Sequence, residues 1–172
     1  MKITIGAMTA FVFLLCQWGP SIADSAHPMQ IRSLKGLQGV YILVESIKPE
    51  IEKLGLTQSK IKTDVELRLR KAGIKVLSKQ DSFEAPGMPY LYIIANVLPH
   101  PSLGTVAYTV KVELCQEVIL SRNNQDKGDA STWWTPGMLG LAGKNQFVRI
   151  IRDEVADQVD KFINDYLSLN PK

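Results

Sequence analysis

The stretch PYLYIIANVLPHPSLGTVAYTVKVELCQEVILSR, residues 89–122, decides the fold. Residues 90–97 form one β-prone arm and residues 106–120 a second. In the second arm Val106, Tyr108, Val110, Val112, Leu114, Val118 and Leu120 occupy alternate positions, and only Gln116 interrupts the row. Successive side chains on a strand point to opposite faces, so this row shares one face, which needs a covering layer. Between the arms, Pro99 and Pro101 lack the N–H that a ladder requires, which predicts a loop over 98–104. The pattern is a long β-hairpin. A second arm of ~15 residues at ~3.3 Å each would run about 50 Å, more than a small domain pairs as one flat strand. Either it bends, with a bulge expected near Gln116, or its end near the 99–104 loop projects with an unpaired edge. Cys115 and Ile119, on the reverse side, predict that part of the second face is covered too.

Upstream, Val40, Ile42 and Val44 alternate with Tyr41, Leu43 and Glu45. Both faces are largely apolar, which predicts a central strand over 37–47. Pro49 opens a helical turn that Gly55 stops. Thr57 can cap a longer helix, along which Ile61, Val65, Leu69 and Ala72 form one apolar stripe. Gly73 then fits the left-handed position after the helix, with Ile74 packing back on Leu69 in a Schellman ending. Residues 75–78 read as a short strand, completing a β-α-β unit with parallel strands. Residues 80–88 read as a loop punctuated by Pro86 and Gly87.

Downstream, residues 123–128 read as a polar turn, 130–135 as a strand and 136–143 as a Gly-rich apolar loop. Asn145 can cap a final helix with Val148, Ile151, Val155, Val159, Phe162, Tyr166 and Leu169 on one side. Its polar side carries more acids than bases, unlike a membrane-surface helix. The order β-α-β-β-β-β-α predicts a two-layer α+β domain: a mixed sheet with a long central hairpin and a C-terminal amphipathic helix packed on it.

The N-terminus carries the grammar of an export signal. Lys2 is followed by an apolar run over 3–15, and Ser21 and Ala23 place small residues before a cut at Asp24. That run is shorter than the ~20 residues a membrane span needs. The expected organisation is a signal peptide over 1–23, a flexible lead-in over 24–33 and one domain over 34–172. The chain is then periplasmic or secreted, with no integral membrane segment after cleavage. Cys16 ends the apolar run, and Leu15 stands where a lipidation signal places a small residue. Cleavage leaves Cys115 as the single thiol, so no internal disulfide can form.

Composition excludes several functions. The formal charge is +3, and loss of Lys2 leaves about +2. No Lys/Arg cluster compensates, so nucleic acid is not an expected partner. A catalytic thiol wants a nearby His, and the two candidates are His27, beside the cleavage site, and His100, between two prolines. Glu113 and Glu117 share a strand face at ~13 Å, wider than a glycosidase pair. One Cys and two unrelated His do not make a metal site. The run from Gly137 to Lys144 precedes a helix but breaks phosphate-loop spacing, with Met138 at a required Gly and Asn145 at a required Ser or Thr. No catalytic residue, metal or cofactor is expected. Trp133 and Trp134 are adjacent on a strand, so one indole enters the core while the other faces out. An outward Trp beside Met138, Leu139 and Leu141 would form an apolar contact for a partner.

Several stretches resemble a family of small exported bacterial proteins of unknown function. They are Gly55-Leu56-Thr57, residues 64–74 (DVELRLRKAGI), Pro89-Tyr90-Leu91-Tyr92, Ala107-Tyr108 with Val112-Glu113-Leu114, Thr132-Trp133, residues 159–167 (VDKFINDYL), and Asn170-Pro171. The order of strand, helix and two long alternating strands is also similar to the N-terminal domain of the periplasmic Tol propeller protein and to curli-secretion-type envelope lipoproteins. The resemblance implies an exported domain in envelope assembly or maintenance and carries no activity. The expected function is non-enzymatic interaction with a protein or envelope component, through an open sheet edge or through residues 133–141. The alternative is a carrier of a small apolar ligand or lipid between the sheet and the last helix, and an enzyme of unknown type comes third.

Overall fold

A computed structural model describes residues 28–100 and 102–171. The expected signal peptide, with Lys2, Cys16, Ser21 and Ala23, lies outside the described residues, as does His27. The elements run α1 (Pro28–Arg32), β1 (Tyr41–Val44), α2 (Pro49–Glu52), α3 (Gln58–Lys71), α4 (Lys79–Glu84), β2 (Tyr90–Pro99), β3 (Thr105–Leu120), β4 (Asn123–Trp134), β5 (Met138–Gly143) and α5 (Phe147–Leu169). The architecture is α+β: a mixed five-stranded sheet with the C-terminal helix packed on it.

The hairpin forms as the alternation predicts. β2 and β3 pair antiparallel from Tyr90 with Cys115 to Pro99 with Val106. Both strands extend into the expected loop, which narrows to a turn. There the His100 Nδ1 accepts from the N–H groups of Ser102 and Leu103, both at 3.2 Å. Val106, Tyr108, Val110, Val112 and Leu114 are buried under the helices, while Val118 and Leu120 are only partly covered. The break in the row has a cause. The β3–β4 register shifts between Leu114 and Cys115, next to the expected bulge at Gln116. Past it, β2 has ended, and β3 and β4 continue as a two-stranded ribbon. The projecting end is therefore this ribbon and not the 99–104 end, which β2 and β5 pair on both sides.

Further expectations need correction. Residues 123–128, read as a polar turn, belong to β4. The strand at 75–78 shrinks to one parallel bridge, Val40 with Val76. The chain turns there into α4, because Ser78 and Asp81 form a reciprocal capping box. The Gly-rich loop at 136–143 contains β5, paired antiparallel with β3. The strand over 37–47 reduces to Tyr41–Val44, and it lies at the sheet margin beside β2 instead of in the centre. The lead-in over 24–33 contains α1, whose Gln30 is buried and whose following residue Ser33 bonds the Thr132 carbonyl at 3.1 Å.

α3 keeps its predicted ends. Thr57 Oγ1 accepts from the Lys60 N–H at 3.3 Å. Ile74 N–H donates to the Leu69 carbonyl at 2.9 Å and Gly73 N–H to that of Arg70 at 3.0 Å, the paired bonds of a Schellman ending. Asn145 does not cap α5, which starts at Phe147 with no side-chain cap. α3 and α5 lie side by side on one sheet face. Arg152 grips Asp64 at 2.7 and 2.9 Å, and Arg68 reaches Asp160 at 2.7 Å. Trp133, Phe147, Ile151, Val155, Val159 and Phe162 fill the layer between α5 and the sheet, each no more than 2% exposed.

Candidate functional site

The two tryptophans part as strand geometry demands. Trp133 is fully buried. It packs edge-to-face on Phe162 at 5.2 Å, and its Nε1–H donates to Asp165 Oδ2 at 2.8 Å. It contributes to the core and presents nothing to a partner. Trp134 points the other way and is 40% exposed.

After Trp134 the chain breaks and resumes as β5. Thr135 makes the break inside the protein. Its N–H donates to the Val112 carbonyl at 2.9 Å, its hydroxyl accepts from the Val112 N–H at 3.1 Å, and that hydroxyl donates to Gln158 Oε1 at 2.5 Å. Gln158 in turn donates to the Val110 carbonyl at 3.2 Å, tying the break to α5. β5 then runs along β3, with Leu139 opposite Thr109 and Leu141 opposite Ala107. Trp134 is opposite Glu113. Those three β3 positions are odd, so Trp134, Leu139 and Leu141 all project from the sheet face that carries neither α3 nor α5. Leu139 is 75% and Leu141 78% exposed. Leu98 flanks Ala107 from the other side, also largely exposed. Met138 lies on the helix-bearing face and is 45% exposed, beside Val110.

β5 has an open side. Lys144 N–H donates to the Gly104 carbonyl at 2.9 Å, which fixes the alternation of the ladder. Even-numbered residues of β5 therefore face β3, and Leu139 and Leu141 turn their N–H and C=O groups outward. No charged residue interrupts residues 138–143. Edge strands are usually blunted by Lys, Pro or a bulge, and β5 has none of these within its span. Gly140 packs closely: a Cβ there would stand 2.5 Å from the Tyr108 ring and would push the ring aside. Leu98 and Leu139 also border an open cleft of about 290 Å³ beside the end of β2.

The sequence reading took 136–143 for a loop because its glycines are turn punctuation. Leu139 and Leu141 alternating with Gly140 and Ala142 are nevertheless a period-two signal, and the strand could have been found from it. The strand also removes the phosphate-loop reading, since the glycines lie along a ladder and not in a turn at a helix start.

Other candidates stay apart. His100 sits at the 99–104 turn and Cys115 pairs with Tyr90 at the far end of β2, about 30 Å away at ~3.3 Å per residue. Among the described residues, no three His, Cys, Asp or Glu side chains gather as metal ligands. Glu113 pairs with Lys111 and Glu117 with Lys127. The layer where an apolar ligand was expected is filled by the side chains named above, and the groove between α3 and α5 has no room for a water molecule.

Cys115 is buried against Tyr90, and burial pushes its thiol pKa up. Tyr90 is pushed from 10.0 up to about 12, first by burial, then by its contact with Cys115 and the nearby charges of Asp129 and Glu113. The sign follows from linkage. A raised folded-state pKa leaves stability intact below pH ~10 and removes it as pH rises toward ~12. Denaturant titrations across that range should show a decline that Tyr90→Phe flattens. An equal decline in the variant would place its origin elsewhere.

No protein-family model, curated protein or solved structure matches the chain. Among the described residues, no helix is long and apolar enough to cross a membrane.

Proposed function

We propose that this chain is an exported, non-enzymatic interaction domain of the cell envelope that docks a partner protein on the β5 edge. The observation that carries this reading is the coincidence of two features on one strand. β5 turns outward backbone groups that have no partner among the described residues, and beside them Trp134, Leu139 and Leu141 are exposed on one face. An added strand would draw affinity from main-chain hydrogen bonds and specificity from side chains on alternate positions. Trp is a frequent anchor in such contacts. A role in envelope assembly or maintenance rests on the resemblance to exported bacterial proteins and on the signal-like N-terminus.

A photo-crosslinker at position 139 in the exported chain tests it. A discrete crosslinked species should form, and Trp134→Ala should reduce it about tenfold, the scale of a modest hot spot. A crosslinker at Asp157, on the exposed side of α5, should give none. Identical products from both positions would reject the β5 edge. Terminal sequencing of the same material should begin at Asp24.

A further inference from the structure

The β5 edge is its own complement. Residues 138–143 read Met-Leu-Gly-Leu-Ala-Gly, and the run Leu139-Gly140-Leu141 is the same in both directions. Two copies of one strand related by a two-fold axis run antiparallel. With that axis at Gly140, Leu139 lies opposite Leu141 of the second copy, and Leu141 opposite its Leu139. The phase of the hydrogen bonds agrees. Leu139 and Leu141 both turn their N–H and C=O groups outward, and those groups have no partner among the described residues. Facing residues in such a ladder exchange two bonds each pair, so the two leucine pairs supply four main-chain bonds.

Side chains and charge select the same register. Opposite residues share a face, so four leucines gather on the face without helices, covering apolar surface that is largely exposed in the single chain. Moving the axis to Leu139 or Leu141 keeps one leucine pair and sets the other leucine opposite Gly137 or Gly143. Residues 138–143 carry no charge, and the adjacent Lys144 falls opposite Pro136 of the second copy, so no like charges meet along the seam. We infer that the chain pairs with a second copy of itself through β5, joining the two sheets into one with the helices of both copies on the same face. This rests on β5 as the docking edge and names its occupant. One six-residue strand per copy is a small interface, of the size class that associates weakly and reversibly.

Sedimentation of the purified exported chain across a concentration series tests the pairing. The average mass should climb from that of one chain toward twice that value. Leu139 and Leu141 are exposed, so the fold tolerates charged residues there. Leu139→Glu combined with Leu141→Glu sets like charges opposite each other and should weaken the dimer by about tenfold or more. Leu139→Glu combined with Leu141→Lys sets opposite charges across both pairs and should dimerise about tenfold more tightly than the double-Glu variant. A photo-crosslinker at position 139 in the purified chain should give a product of twice the chain mass, attached within residues 138–143 of the second copy. The dimer is refuted if the purified chain stays monomeric at every concentration, or if the double-Glu variant dimerises as the parent does. Equal weakness of the two double variants refutes the Gly140 register. A monomeric chain that still crosslinks from position 139 to another protein would leave the β5 docking edge standing. No crosslink from position 139 to any protein would reject the edge and the dimer together.

Discussion

Trp133→Ala should lower the unfolding free energy by about 3–5 kcal/mol, the range for truncating a fully buried aromatic side chain. Three losses combine. The indole volume becomes a cavity between the sheet and α5, the edge-to-face contact with Phe162 disappears, and Asp165 loses the N–H it accepts. Marginal domains hold only about 5–15 kcal/mol in total, so the variant would be partly unfolded or poorly recovered. Its neighbour provides the control. Trp134→Ala removes an indole that is 40% exposed and should cost clearly less than Trp133→Ala while reducing the crosslink at the β5 edge about tenfold. Chemical denaturation of both variants checks the pair. Equal destabilisation would mean that the two indoles do not divide the labour between core and surface.

Gly39→Ala should be the second severe change, at about 3 kcal/mol, the upper end of overpacking effects. A Cβ at Gly39 would stand 2.6 Å from the Lys75 carbonyl and 3.0 Å from the Lys75 Cβ, on a backbone with φ of +157°. The nearest atom is main chain and cannot rotate aside, so residues 75–77 would have to retreat. They carry the bridge to Val40 that sets the position of β1. Denaturation should therefore show lost stability, and amide exchange should rise first at Val40 and Leu77. Gly36→Ala is the matched control, since a Cβ there meets nothing within 4 Å, though its φ of +76° carries some strain. If Gly39→Ala proves no worse than Gly36→Ala, the close approach is not what requires glycine.

How far the sequence could be read depended on how local each cause is. The α3 ending was legible because Leu69, Gly73 and Ile74 carry both the stripe and the stop within a few residues. The β3 row was legible because its alternation runs through five buried positions before the bulge. α4 was missed although Ser78 and Asp81 spell a capping box, since Pro86 and Gly87 drew the whole segment toward a loop. β1 was placed centrally because both its faces are apolar, but which edge is paired depends on partners fifty residues away. The site divided in the same manner. That one tryptophan faces inward follows from strand geometry, whereas the open side of β5 follows from its register on β3, which local pattern does not encode.

One contact joins the two ends of the domain. Asn170 donates from Nδ2 to the Leu34 carbonyl at 2.9 Å and accepts the Gly36 N–H at 2.8 Å, while Tyr166 donates its hydroxyl to the Leu37 carbonyl at 2.9 Å. These bonds span more than 125 residues of chain. A polypeptide is made N-terminus first, so the segment around Leu34 has to wait for the last turn of α5 before it can close. Until then Leu34, buried in the finished domain, lacks this closing contact. If the chain is exported as we propose, this ordering acts as a timer: the contact around Leu34 closes only when the final residues have arrived on the same side as the first.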